Sequence, residues 1–380
     1  MKSITEVLAK ADKSVRNLLV TMPPKAVVSM YSSGRKNMLK KIGKEDPNTT
    51  YNPPEELART LWGIRFRSPI FNAAGMFKNG EGYTLVARQG AGAYLAGTTT
   101  ASPRKGNVKD NITQPFTPYP RSKAASNWLG LPNDGHRVVA ERLTDRVRIN
   151  GCPIGVSVSA SPGEEEKVAL IELSVGMQLY EKAGVDFIEL NESCPNVPSH
   201  KSDHDSLKLD EALIRRCEYI STNFLQKRKK QIPVIVKFSN DTNSAMIPLL
   251  MDMMLTLGFD GINFGNTSTS YKLYEPQIHP SEKKLYEYFT SNFGGGLSGK
   301  PLLSSSLSLC TYAMEYLRAH PAKHEFHVVR TGGVENPTDV LASEQVGISL
   351  NQWYTGYFEN YSHFGNKIYQ KFYEGLIVNK

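Results

Sequence analysis

Apolar positions recur at helical spacing over residues 4–22, where Ile4, Val7, Leu8, Ala11, Val15, Leu18, Leu19 and Met22 share one face. Pro23-Pro24 ends that stripe, because proline has no N–H and its ring clashes with the preceding turn. A weaker stripe of Val27, Met30, Tyr31, Met38 and Ile42 predicts a second helix, and the polar, proline-containing residues 45–54 read as a linker. Residues 1–54 are therefore expected to form a helical hairpin and linker, and residues 55–380 a separate main domain. From Pro69 onward the pattern changes. Short apolar runs at 70–74, 93–97, 154–158, 186–190, 234–238, 261–265, 327–331 and 348–352 alternate with amphipathic stretches such as 80–89, 164–183, 210–225 and 245–257. Eight strands in β-α alternation predict the α/β class, as a closed (β/α)8 TIM barrel with an N-terminal helical extension. The crossovers 98–153 and 266–326 are long, and insertions after a strand's C-terminal end usually build the mouth of a site.

Charge sharpens the division. The 380 residues are 40% apolar and carry a net charge of +8. Residues 1–50 hold ten Lys or Arg against four Asp or Glu, and the remainder 35 against 33, so the body is nearly neutral. No nucleic acid is expected as a partner. Cys152, Cys194, Cys217 and Cys310 are scattered without a CxxC pair, which argues against a disulfide framework or a metal site and suits a reducing compartment. Residues 1–22 are charged throughout and lack the apolar core of a leader peptide, and the apolar run 246–259 is broken by Asp252. The expected location is cytoplasmic, with at most peripheral contact at the inner face of a membrane.

Candidate chemistry collects at strand ends, where β/α barrels place it. The first run leads into Ala73-Ala74-Gly75-Met76-Phe77-Lys78, the second into Thr98, and the third ends near Ser157. The fifth carries Lys237, the sixth leads into Asn266-Thr267, the seventh into Gly332-Gly333 and the eighth into Tyr354-Thr355-Gly356. The fourth opens Asn191-Glu192-Ser193-Cys194-Pro195-Asn196-Val197-Pro198. Two amides around a thiol suit a flat polar heterocycle: the amides bond ring carbonyls and nitrogens, and the thiol moves a proton. Plainer readings hold elsewhere. Cys217 and Cys310 read as small buried hydrophobes, His200 and His204 as a solvated loop, and Asn133 and Asn263 as structural.

The segment from Asn191, with the strand-end set over roughly residues 60–375, resembles the dihydroorotate dehydrogenases. The resemblance implies an FMN-dependent oxidation of dihydroorotate to orotate in pyrimidine synthesis, with Cys194 removing the C5 proton and the C6 hydride passing to flavin N5. Implied cofactor residues are Ala74, Gly75, Lys78, Thr98, Ser157, Asn191, Lys237 and Gly299, with Gly332, Gly333, Tyr354, Thr355 and Gly356 at the phosphate. Implied substrate residues are Asn127, Leu129, Gly130, Leu131, Asn191, Asn196, Asn266 and Thr267. The stretch from Asn127 to Asn133 looks like the soluble, often fumarate-linked class, and Gly294 to Pro301 like the membrane-associated quinone class. Quinone is the favoured acceptor and fumarate the alternative. Residues 1–42 are expected to dock on a membrane surface, the other uses of such an extension being packing on the barrel or a homodimer. Three positions depart from the family. Arg330 stands where a glycine is usual, and either bridges the FMN phosphate or disturbs strand packing. Gly97 replaces a flavin-contacting lysine, and Glu192 replaces an apolar residue. The competing functions are a flavin oxidoreductase for another dihydropyrimidine and a non-catalytic basic adaptor, which needs no flavin.

Overall fold

A computed structural model describes residues 3–192 and 209–379. Eight strands form one parallel sheet: β1 (Ile70–Asn72), β2 (Tyr94–Thr99), β3 (Ile154–Val158), β4 (Phe187–Asn191), β5 (Val234–Phe238), β6 (Gly261–Phe264), β7 (His327–Thr331) and β8 (Leu350–Trp353). These are the eight predicted runs with ends shifted by a few residues, and the fold is the expected (β/α)8 barrel. Between β1 and β2 a side chain helps close the ring: Asn72 donates to Leu95 O at 2.7 Å and accepts from Leu95 N at 3.2 Å.

Strand parity sets what faces inward. Phe71, Leu95, Phe187, Ile235, Val329 and Leu350 fill the barrel floor, which the antiparallel hairpin Arg59–Leu61 with Ile64–Phe66 covers through Leu61 and Phe66. Two residues further along the same strands the interior turns polar, with Glu189, Lys237, Thr331 and Gln352, joined by Asn263 of β6. The alternate positions, such as Ile188, Val236, Ile262 and Val328, face the surrounding helices.

The two long crossovers meet over the barrel mouth. Phe116–Tyr119, Ala124–Asn127 and Gly296–Gly299 form a three-stranded antiparallel sheet with Ala124–Asn127 at its centre.

Before the barrel come α1 (Ile4–Leu19) and α2 (Pro24–Ile42). Ser3 and Glu6 cap α1 reciprocally, and Pro24 takes the first turn of α2, where its missing N–H costs nothing. α2 buries Val27, Val28 and Ile42, the first two beside Tyr119, Ile278 and Phe289 under the mouth sheet. α1 docks differently. Polar bonds tie it to the helix Thr355–Phe364 and the turn after it: Thr5 to Tyr361 (2.7 Å), Arg16 to Glu359 (2.7 Å), and Glu6 to the N–H of Asn366 (2.8 Å). The apolar stripe lies outside, with Ile4, Val7, Leu8, Val15, Leu18 and Met22 all exposed. Among the described residues no helix is long and apolar enough to cross a membrane.

Candidate functional site

Strand ends, the mouth sheet and the loops after β7 and β8 enclose one cavity. It brings together Ala74, Gly75, Lys78, Thr98, Asn127, Leu129, Leu131, Asn191, Lys237, Asn266, Thr267, Gly299, Gly332, Gly333, Tyr354, Thr355 and Gly356 of the expected set. Gly130 and Ser157 do not line it. Gly130 packs against Asn107, and Ser157 reaches it through Thr98, hydroxyl to hydroxyl at 3.0 Å. Cys194 and Asn196 lie outside the described residues, as do His200 and His204. Among the described residues no cluster of His, Cys, Asp or Glu could hold a metal.

One wall is a hydrogen-bonded belt crossing several strands. Asn191 donates to Thr98 Oγ1 at 3.0 Å and accepts from Asn266 Nδ2 at 3.3 Å, and the Asn266 carbonyl oxygen of the side chain accepts from Thr267 N at 2.8 Å. Each amide is thereby turned one way before any ligand arrives, which is the condition for directional recognition. The Thr267 hydroxyl is buried and has no partner among the described residues. Such a group costs about 1–3 kcal/mol until something bonds it.

The opposite wall suits an anion. The 10-residue helix Thr355–Phe364 begins at the cavity, and Gly299 and Leu302 lead into the helix Leu303–Ala319 beside it. Helix N-termini offer unpaired N–H groups and a partial positive charge. Glycines allow the loops to close this tightly. A Cβ on Gly333 (φ 74°) would lie 2.4 Å from Leu303 Cα, and one on Gly356 would lie 2.2 Å from Val334 O. A phosphate after strands seven and eight is the usual barrel arrangement. Lys237, only 3% exposed, supplies a cation between the two walls. A polar belt, a buried ammonium and an anion cradle fit a phosphate-bearing heterocycle such as FMN.

Arg330 takes no part in that cradle. β7 points Thr331 inward and Arg330 outward, where the guanidinium is fully buried between helices. It donates to Ser306 Oγ (3.0 Å), Ser343 Oγ (2.9 Å), Asp339 O (3.1 Å) and Leu303 O (2.8 Å). Burial pulls its pKa below the usual arginine value. Glu192 likewise has a local partner, Arg216 at 2.8 Å.

A second cavity of about 800 Å³ opens between α1, α2 and the mouth sheet. No pattern in the sequence announces it, because it exists only where separate elements meet. Leu8, Ala9, Leu19, Met30 and Met38 make it largely apolar. Phe116, Tyr354 and Thr355 line both cavities. At this junction Arg35 of α2 donates from Nε to Tyr354 Oη at 3.0 Å and lies 5.6 Å from the Phe116 ring centre. Phe116, Ser298, Thr331 and Gln352 also line the first cavity, although no motif marks them in the sequence.

A family model for dihydroorotate dehydrogenase matches residues 56–376. The dihydroorotate dehydrogenase (quinone) of Parvibaculum lavamentivorans is 27% identical over 302 residues, covering 80% of this chain and 78% of its own. That of Rhodopseudomonas palustris is 29% identical over 310 residues, covering 80% and 77%. The crystal structure of the Eimeria tenella enzyme (DHODH) in complex with ferulenol superposes with a TM-score of 0.72 at 21% identity, covering 91% of each chain. Its ligand-free form gives 0.73. At that identity the structural likeness speaks for the fold.

Proposed function

Since the chain belongs to the dihydroorotate dehydrogenase family, we propose that it oxidises dihydroorotate to orotate with FMN in the barrel mouth and passes the electrons to a lipophilic quinone. FMN, when bound, supplies the hydride acceptor and stores two electrons between the two half-reactions. The chain supplies the rest. Cys194 is the base for the C5 proton, and a cationic site favours the thiolate this needs. Asn127, Asn191, Asn196 and Asn266, with the Thr267 hydroxyl, bond the polar edges and carboxylate of the substrate. Lys237 and Lys78 stabilise the negative charge that accompanies reduction. Gly299, Gly332, Gly333 and Tyr354 to Gly356 hold the phosphate. Ala74, Gly75 and Thr98 complete the cofactor wall.

The observation that carries the quinone reading is the second cavity. It begins beside α1, whose apolar stripe faces outward, and ends at Phe116, Tyr354 and Thr355, which also line the first cavity. A lipophilic molecule entering between α1 and α2 would arrive beside the flavin without crossing the substrate's path. Lys10, Lys13 and Lys25 in or beside the outward helices add attraction to an anionic lipid surface. Membrane docking of residues 1–42 belongs to this proposal.

Gly34 provides the test. It lines the second cavity, and a Cβ there would meet nothing within 4 Å. A tryptophan at this helical site fills space at no expected cost to the fold, since glycine is the poorer helix former by about a few tenths of a kcal/mol. Gly34→Trp should slow quinone reduction at least tenfold and leave flavin reduction by dihydroorotate unchanged. Undiminished quinone turnover in that variant, or fumarate outpacing quinone in the intact chain, would overturn the acceptor assignment.

A further inference from the structure

Glu189 stands in the middle of β4 and is fully buried inside the barrel. It does not line the substrate cavity, and its carboxylate is held by three donors. Lys237 Nζ lies 3.4 Å from Oε1, while Asn263 Nδ2 (2.9 Å) and Gln352 Nε2 (2.7 Å) both donate to Oε2. Lys237 also donates to Gln352 Oε1 at 3.1 Å, and Thr331 donates to the same oxygen at 2.9 Å. The ammonium at the cavity wall thus rests on a carboxylate one layer below. A buried ion needs a partner, and here the ammonium and the carboxylate serve each other.

Resting on the FMN reading above, we infer that Glu189 is a positioning residue that offsets the charge of Lys237 and so holds down the reduction potential of the bound flavin. A flavin that takes up electrons gains negative charge. An unopposed ammonium beside it would favour the reduced form, and a counter-charged one favours it less. The pair leaves the site directional, with the cation toward the cavity, yet close to neutral in sum. A flavin with moderated electron affinity both accepts from dihydroorotate and releases to a quinone.

The bond pattern allows this charge to be removed with little else. In Glu189→Gln, an amide oxygen at the Oε2 position still accepts from Asn263 and Gln352. Its NH2 group then faces Lys237, donor against donor. The full-length protein loaded with FMN is equilibrated anaerobically with reference dyes, and the flavin potential is read from the spectrum. E189Q should raise the equilibrium constant for two-electron reduction at least tenfold, about 30 mV. Lys237→Met should lower it. The double variant E189Q/K237M, which removes both charges and leaves the sum unchanged, should return to within threefold of wild type. Replacing a buried ion pair by neutral groups is commonly tolerated, so the double variant against K237M carries the test if E189Q does not fold. A purely structural role would lower thermal stability and leave the potential in place. A shift below twofold in folded E189Q, or a double variant with the potential of K237M alone, overturns the inference. Wild-type protein that takes up no FMN overturns the parent reading as well.

Discussion

Replacing Arg330 by methionine tests whether this buried cation is structural. Methionine keeps most of the length and removes four charge-assisted bonds, to Ser306, Ser343, Asp339 O and Leu303 O. The two carbonyls keep a partner, because Leu303 and Asp339 belong to the helices Leu303–Ala319 and Pro337–Val346, where the N–H four residues on bonds each. Bonds to charged groups contribute about 1.5–3 kcal/mol each, and the relieved desolvation of the ion returns several kcal/mol. The net loss is then about 2–5 kcal/mol. An unfolding entropy of about 2.1 cal/mol/K per residue gives roughly 0.8 kcal/mol/K for this chain, hence a Tm lower by about 3–6 °C. The assay pairs thermal unfolding of flavin-free protein with an FMN titration. FMN affinity should weaken less than tenfold, since Arg330 reaches the cradle from behind, through Leu303 and through Ser306, which donates to Gly332 O at 2.7 Å. An unchanged Tm with FMN binding weakened a hundredfold would refute this account and restore a phosphate bridge.

Two further outcomes are expected. Cys194→Ala should retain FMN but slow flavin reduction by dihydroorotate by roughly two to four orders of magnitude, the usual range for a general base; unchanged stopped-flow kinetics would remove Cys194 from that role. His136 is buried against Thr99 and Tyr180, and burial pushes its pKa down to about 3. The unfolded chain therefore takes up this proton first as pH falls, and stability drops from about pH 6.5 downward at about 1.4 kcal/mol per pH unit. Urea unfolding at pH 6.5 and pH 5 should show wild type losing about 2 kcal/mol more than His136→Gln, and equal losses would contradict the assignment.

The barrel was legible because its signal is local. Each strand is a short apolar run, and eight of them in alternation with helices leave few architectures. The strand-end residues were legible for the same reason, since Thr98, Asn191, Lys237 and Gly332 each follow or close such a run. Arg330 was left open in the sequence, although strand parity resolves it. Val329 and Thr331 face inward, so Arg330 must face the helices. Glu189 also had a signal, an acid inside an otherwise apolar run, which asks for a buried partner. The second cavity had none. It depends on where α1 sits, and α1 turns Thr5 and Arg16 toward the barrel while its apolar stripe faces out. Hydrophobic periodicity reports that a face exists, and only the docked helix shows what that face meets.

Under the proposed function, this barrel mouth oxidises dihydroorotate through a bound flavin. That oxidation is tested most directly by anaerobic mixing of the FMN-loaded full-length protein with dihydroorotate while the flavin spectrum is followed. Loss of the oxidised flavin absorbance, with one orotate formed per flavin and no response to the carboxylate-free analogue dihydrouracil, is the predicted result. A spectrum that dihydroorotate leaves unchanged, or that dihydrouracil bleaches equally well, would contradict it.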